Sequence, residues 1–150
     1  INDWWRANAE KGKASVIFAY SLGKAQRIMK SVDASIGRIY THGAVERLTQ
    51  EYRLSGVELP PTQYVGSVEN KKDFVGSLIV APPSAQDTPW LKKFGSHSTA
   101  FASGWMRIRG ARRRRAVDRG FIMSDHADWD ELLTAIAATE AETVLITHGT

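Results

Sequence analysis

Two histidines stand just beyond apolar runs. His126 follows Gly120-Phe-Ile-Met123 through Ser124-Asp125, and His148 follows Thr143-Val-Leu-Ile-Thr147. Histidine can pass a proton near neutral pH or ligate a metal, and Asp125 and Asp128 lie beside the first of the pair. Spacing alone leaves metal binding open, because neither H-x-H nor H-E-x-x-H occurs. His42 and His97 sit in turn or loop contexts and read as structural.

A second kind of chemistry is anion binding. Arg107, Arg109, Arg112, Arg113, Arg114, Arg115 and Arg119 fall within 13 residues, beside Trp105. Guanidinium forks match phosphate oxygens bidentately, so the cluster suits a polyanion whose binding weakens steeply with salt. The bland alternative is a solvated surface loop, since four adjacent arginines cannot all face one way. Ser21-Leu22-Gly23-Lys24 could add to a phosphate site, but G-x-x-x-x-G-K-[ST] is not satisfied and no G-x-G-x-x-G occurs. Nucleotide-hydrolase and dinucleotide readings therefore have little support.

Those residues need elements to hold them. Ser15–Tyr20, Arg38–Thr41, Ser77–Ala81, Thr99–Ser103, Gly120–Met123 and Thr143–Thr147 are short apolar runs that read as strands. Helical spacing marks Lys24–Val32 and Ala44–Ser55, with Gly56 placed as a residue following a helix should be. Trp4–Glu10 reads as the tail of a helix, Asp87–Phe94 as a short one, and Asp128-Trp-Asp-Glu131 as a capping box opening another. Glu58–Gly66 reads as a loop leading into a short extended piece.

Strands apolar throughout that alternate with helices predict a three-layer α/β/α fold, with a mostly parallel sheet of about six strands. Ligands bind such sheets beyond the C-terminal strand ends. Here those ends carry Ser21, Gly23, Thr41, Gly43, Ser84, Ser103, Gly104, Ser124 and Thr147. Helix N-termini at that edge would offer N–H groups to phosphate oxygens, although Ser, Thr and Gly are also ordinary turn residues.

The chain of 150 residues is long enough for one well-filled core. It has no cysteine, which excludes disulfides, thiolate metal sites and cysteine nucleophiles. No apolar run approaches a membrane span and no signal-peptide pattern opens it, so a cytoplasmic location is expected. The net charge of +4 is segregated. Nine Lys or Arg lie between Trp90 and Gly120 against Asp118 alone, while residues 121–150 hold six acids and no Lys or Arg. Such segregation speaks of partners. The opening on Ile1 and the stop just after an apolar run suggest a piece of a longer protein.

Three ordered motifs carry a resemblance over nearly the whole chain. Gly120–Trp129 followed by Thr143–Gly149 resembles the β-CASP nucleases of the metallo-β-lactamase fold. Ala14–Gln26 is similar to that family's strand–turn–helix entry. Ser103-Gly-Trp-Met-Arg-Ile-Arg-Gly-Ala-Arg-Arg-Arg-Arg115 is similar to the DNA-ligase-associated exonuclease branch.

The resemblance implies that His126 contacts or protonates the scissile phosphate, that Asp128 matches the acid after it, and that His148 is a zinc ligand. It further implies two zincs in the full-length protein and none held by this piece. The H-x-H-x-D-H signature and the remaining ligands are missing here, and in that family they belong to the half preceding Ile1. On this view residues 1–119 form a β-CASP domain and 120–150 a returning segment of the catalytic domain. Single-stranded DNA or RNA is the expected partner, a DNA ligase a further one, and a membrane none. The contrasting reading is a non-catalytic nucleic-acid or protein-interaction module with a basic docking loop.

Overall fold

The computed structural model describes residues 1–108 and 116–147. A short helix, α1 (Asn2–Glu10), leads into β1 (Ala14–Phe18), every residue of which is buried. There follow α2 (Lys24–Ser31), β2 (Ile39–Thr41), α3 (Gly43–Leu54) and β3 (Gln63–Tyr64). Then come β4 (Leu78–Ala81), β5 (His97–Ala102), β6 (Arg119–Phe121) and α4 (Trp129–Ala138). The six strands form one sheet in the order β3-β2-β4-β1-β5-β6, and every pairing is parallel. The expected α/β class holds.

Successive residues of a strand face opposite ways, so β1 feeds two cores. Val16 and Phe18 pack with Tyr40, Phe74, Phe94 and Met106 on one face; Ile17 and Ala19 pack with Trp5, Ile28, Met29 and Val45 on the other. The second face is covered by α1, α2 and α3. The first is covered by short 3₁₀ turns, among them Lys71–Phe74, Pro89–Phe94 and Gly104–Arg107. Their aromatic rings do the filling: Phe74 meets Tyr40 and Phe94 edge-on at 4.8 and 4.9 Å. The helix expected over Asp87–Phe94 is one of these turns.

One expected strand is not formed. Thr143–Thr147 has no regular structure, and Val144, Leu145 and Ile146 are exposed, Leu145 by 86%. An apolar, β-branched run becomes a strand only beside another strand's unpaired edge, and none among the described residues pairs with it. The sixth place in the sheet is taken by β3, which pairs with β2 through Gln63 and Tyr64 alone. Beyond β6, α4 buries no residue although Trp129, Leu132 and Leu133 are large and apolar. The expected boundary between residues 119 and 120 falls inside β6, whose Phe121 pairs with Ala102 of β5.

Asp118, the single acid of the basic stretch, ties β6 to β5. Its carboxylate accepts hydrogen bonds from the Thr99 amide at 2.8 Å and the Ser98 hydroxyl at 3.0 Å. The Thr99 N–H, before the side-chain hydroxyls, holds that carboxyl below its ordinary range. Among the described residues no helix is long and apolar enough to cross a membrane.

Candidate nucleic-acid interface

The chain leaves β1 toward α2 and its core, and leaves β5 toward the 3₁₀ turn whose Met106 lies in the opposite core. Adjacent parallel strands whose connections depart to opposite faces leave a crevice at their C-terminal ends. A cleft of about 350 Å³ opens there. Tyr20 and Lys24 line it from the β1 side, Ser103, Gly104, Trp105 and Ile108 from the β5 side, and Ser124 and His126 from the segment after β6.

Gly23 makes the turn into α2. Its φ of +79° lies in the left-handed region, where a Cβ is disfavoured. The turn then closes on itself. The Lys24 amide donates to the Leu22 carbonyl at 3.0 Å, the Ala25 amide to Tyr20 at 3.1 Å, and the Gln26 side chain to the Ser21 carbonyl at 3.0 Å. The first two backbone N–H groups of α2, those of Lys24 and Ala25, are thus already engaged.

Lys24 is the surprise of the site. Its side chain is 4% exposed, and its ammonium meets the Asp125 carboxylate at 3.0 Å. A charge so buried requires a partner, and Asp125, 35% exposed, is that partner. Arg27, one turn further along α2, reaches Asp125 at 3.5 Å and donates to the Ser124 carbonyl at 2.6 Å. The Ser124 hydroxyl in turn accepts the His126 amide at 3.2 Å. Two cations of α2 therefore hold the segment Ser124–His126 in place, about a hundred residues away in sequence. Sequence reasoning does not place Arg27 at the site; its position on the solvent side of the Ala25–Ile28 helix spacing is the one hint of it.

The expected site residues divide as follows. His126 and Lys24 line the cleft, and Arg107 is exposed in the turn that carries Trp105. Ser21 lies on the β1 turn but outside the lining. Asp128 caps α4: it accepts the Glu131 amide at 2.9 Å while the Glu131 carboxylate accepts the Asp128 amide at 3.0 Å. The capping box read from D-x-x-E is present. Arg109, Arg112, Arg113, Arg114, Arg115 and His148 lie outside the described residues. Among the described residues no group of three or more His, Asp or Glu could hold a metal ion.

Elsewhere, His42 caps α3, its Nδ1 accepting the Ala44 amide at 3.1 Å and its ring packing edge-on to Trp90. Burial pushes its pKa down, which suits a ring that accepts at Nδ1. Its structural reading stands. A cavity of about 360 Å³ at the opposite end of the sheet, between Gly37, Arg38 and Thr62, gathers no acid–base group beyond the guanidinium of Arg38.

No protein-family model matches the chain, and no solved structure does. Over 134 residues it is 31% identical to a protein of Opitutus terrae named "Probable DNA ligase". The chain is a distant homologue of one segment of that protein. The match takes in 89% of this chain but spans only 13% of the relative.

Proposed function

We propose that this chain holds a single strand of nucleic acid, DNA in the first place, in the cleft beyond β1, β5 and β6. It does so as the strand-binding part of a nuclease that hydrolyses phosphodiester bonds. The observation that carries the proposal is the convergence of Lys24, His126 and the Trp105–Arg107 turn on one cleft at the C-terminal edge of a parallel sheet. The Opitutus terrae relative, named a probable DNA ligase, supports a role in DNA metabolism.

In this reading the basic stretch that begins at Arg107 follows the phosphates, and His126 donates a proton to the leaving oxygen. The exposed apolar residues of α4 and of Val144–Ile146 pack against a catalytic half that supplies the metal. The described residues do not themselves fit a zinc pair, since His126 belongs to no group of three or more ligands, Asp125 is held by Lys24 and Arg27, and Asp128 is spent on its cap. His148 as a zinc ligand rests on the β-CASP resemblance. The chemistry derived for the described residues is confined to holding the strand and moving one proton.

Oligonucleotide affinity measured against salt tests the proposal. The chain should bind a thymidine decamer, with log Kd rising linearly in log salt. Arg107→Glu together with Arg109→Glu should weaken binding at least about tenfold at low salt. Removing two contacts should flatten the slope by roughly 1.4, at about 0.7 per phosphate on a single strand. Unchanged affinity and slope would show that these arginines do not touch phosphate.

A further inference from the structure

Trp105 is the part of the cleft that phosphate binding leaves unused. Its indole is 67% exposed, yet it lines a concavity. The other tryptophans of the folded layers are occupied: Trp5 is fully buried and donates to the Gly76 carbonyl at 2.9 Å, Trp4 packs edge-on to Phe121, and Trp90 packs on His42 and Phe94. Trp129 is also exposed, but it belongs to α4 and not to the cleft. Among the described residues the Trp105 ring has no aromatic partner and its Nε1–H no acceptor.

The ring is nonetheless firmly mounted. The Ser103 hydroxyl accepts the Trp105 amide at 3.3 Å, and the next residue, Met106, is 1% exposed and anchors the turn in the core. Gly104 brings the same turn close to Ser124, where an added Cβ would lie 3.5 Å from the serine Cβ. On the β1 side Tyr20 is 59% exposed, with the Lys24 ammonium 5.7 Å from its ring. Two exposed aromatic rings therefore line a cleft that also carries a cation and an imidazole.

We propose that Trp105, assisted by Tyr20, is the stacking platform for one unpaired nucleobase of the bound strand. The inference rests on the nucleic-acid reading above and deepens it. A base has a π-face whatever its identity, so the platform selects single-stranded over paired nucleic acid rather than one sequence over another. The backbone phosphate of the stacked nucleotide then lies toward Lys24 and His126.

Tryptophan fluorescence titrations with a thymidine decamer and with an abasic decamer test it. The thymidine decamer should quench the wild-type emission. Trp105→Leu should abolish most of that quench and weaken binding roughly tenfold, the effect of one base–aromatic stack. The abasic decamer should bind wild type about as weakly, and Trp105→Leu should weaken it no further. Trp105→Phe should restore part of the affinity, and Trp129→Leu should leave it unchanged.

Because Trp105 is exposed, its variants should keep the wild-type urea midpoint. If wild type and Trp105→Leu bind both decamers equally, with salt-dependent affinity, the stacking platform is overturned and phosphate binding stands. If wild type binds neither decamer at low salt, the nucleic-acid reading falls and the platform with it.

Discussion

Replacing Asp125 by alanine is expected to destabilise the protein by about 3 kcal/mol, the lower end of the range for removing one partner of a buried ion pair. The reason is the asymmetry of the pair. Lys24 is almost wholly enclosed, whereas Asp125 keeps a third of its side-chain surface in water. Without the carboxylate, an ammonium sits in the fold with no counter-charge. Lys24→Met does the opposite: it removes the buried charge, fills the same space with an apolar chain, and leaves Asp125 to water and to Arg27. Its cost should stay near or below about 1 kcal/mol, and the double variant should resemble Lys24→Met more than Asp125→Ala. Urea unfolding with unchanged m-values measures all three. A Lys24→Met variant less stable than Asp125→Ala would show that the ammonium is not the dependent partner.

The same pair has a functional consequence. Asp125 lies between Ser124 and His126, so the contacts from α2 set where the imidazole stands at the cleft. In the complete nuclease that we propose, His126→Ala is expected to lower turnover by about 10²–10⁴-fold, the usual share of a general acid. Oligonucleotide affinity should stay within about threefold, because the strand is held mainly by arginines and by stacking. A substrate with a p-nitrophenolate leaving group needs no proton, and on it the deficit should largely vanish. A loss of binding with turnover intact, or an equal deficit on both substrates, would take the proton-donor role from His126.

Much of the scaffold is legible in the order of the residues. β4 is apolar throughout, and β1 and β2 are apolar but for Ser15 and Thr41, because a parallel sheet buries both faces, and such runs announce themselves. The capping box at Asp128 and the helix spacing of α2 and α3 depend on neighbours a few residues away, so local sequence carries them. Thr143–Thr147 has the composition of a strand, but pairing depends on a neighbouring edge that its own residues do not specify. β3 is the reverse case: its two residues are exposed and lack periodicity, and they join the sheet only because β2 offers an edge.

The site is legible in its residue types and opaque in its pairings. His126, Lys24 and Arg107 are marked by position at strand ends and by charge. That Lys24 serves Asp125 before any phosphate is a long-range fact, set by the packing of α2 beside the segment after β6. Likewise nothing in the string Ser103-Gly-Trp-Met106 tells that the methionine is buried while the tryptophan faces open space.

The most direct test of the central claim is hydrogen–deuterium exchange of the chain with and without a thymidine decamer. A strand in the proposed cleft should slow exchange at residues 20–24, 103–108 and 122–127, which border the C-terminal ends of β1, β5 and β6. Exchange around Gly37–Ile39 and Thr62, at the far end of the sheet, should not change. Protection confined to that far end, or none at saturating oligonucleotide, would contradict the assignment of this cleft.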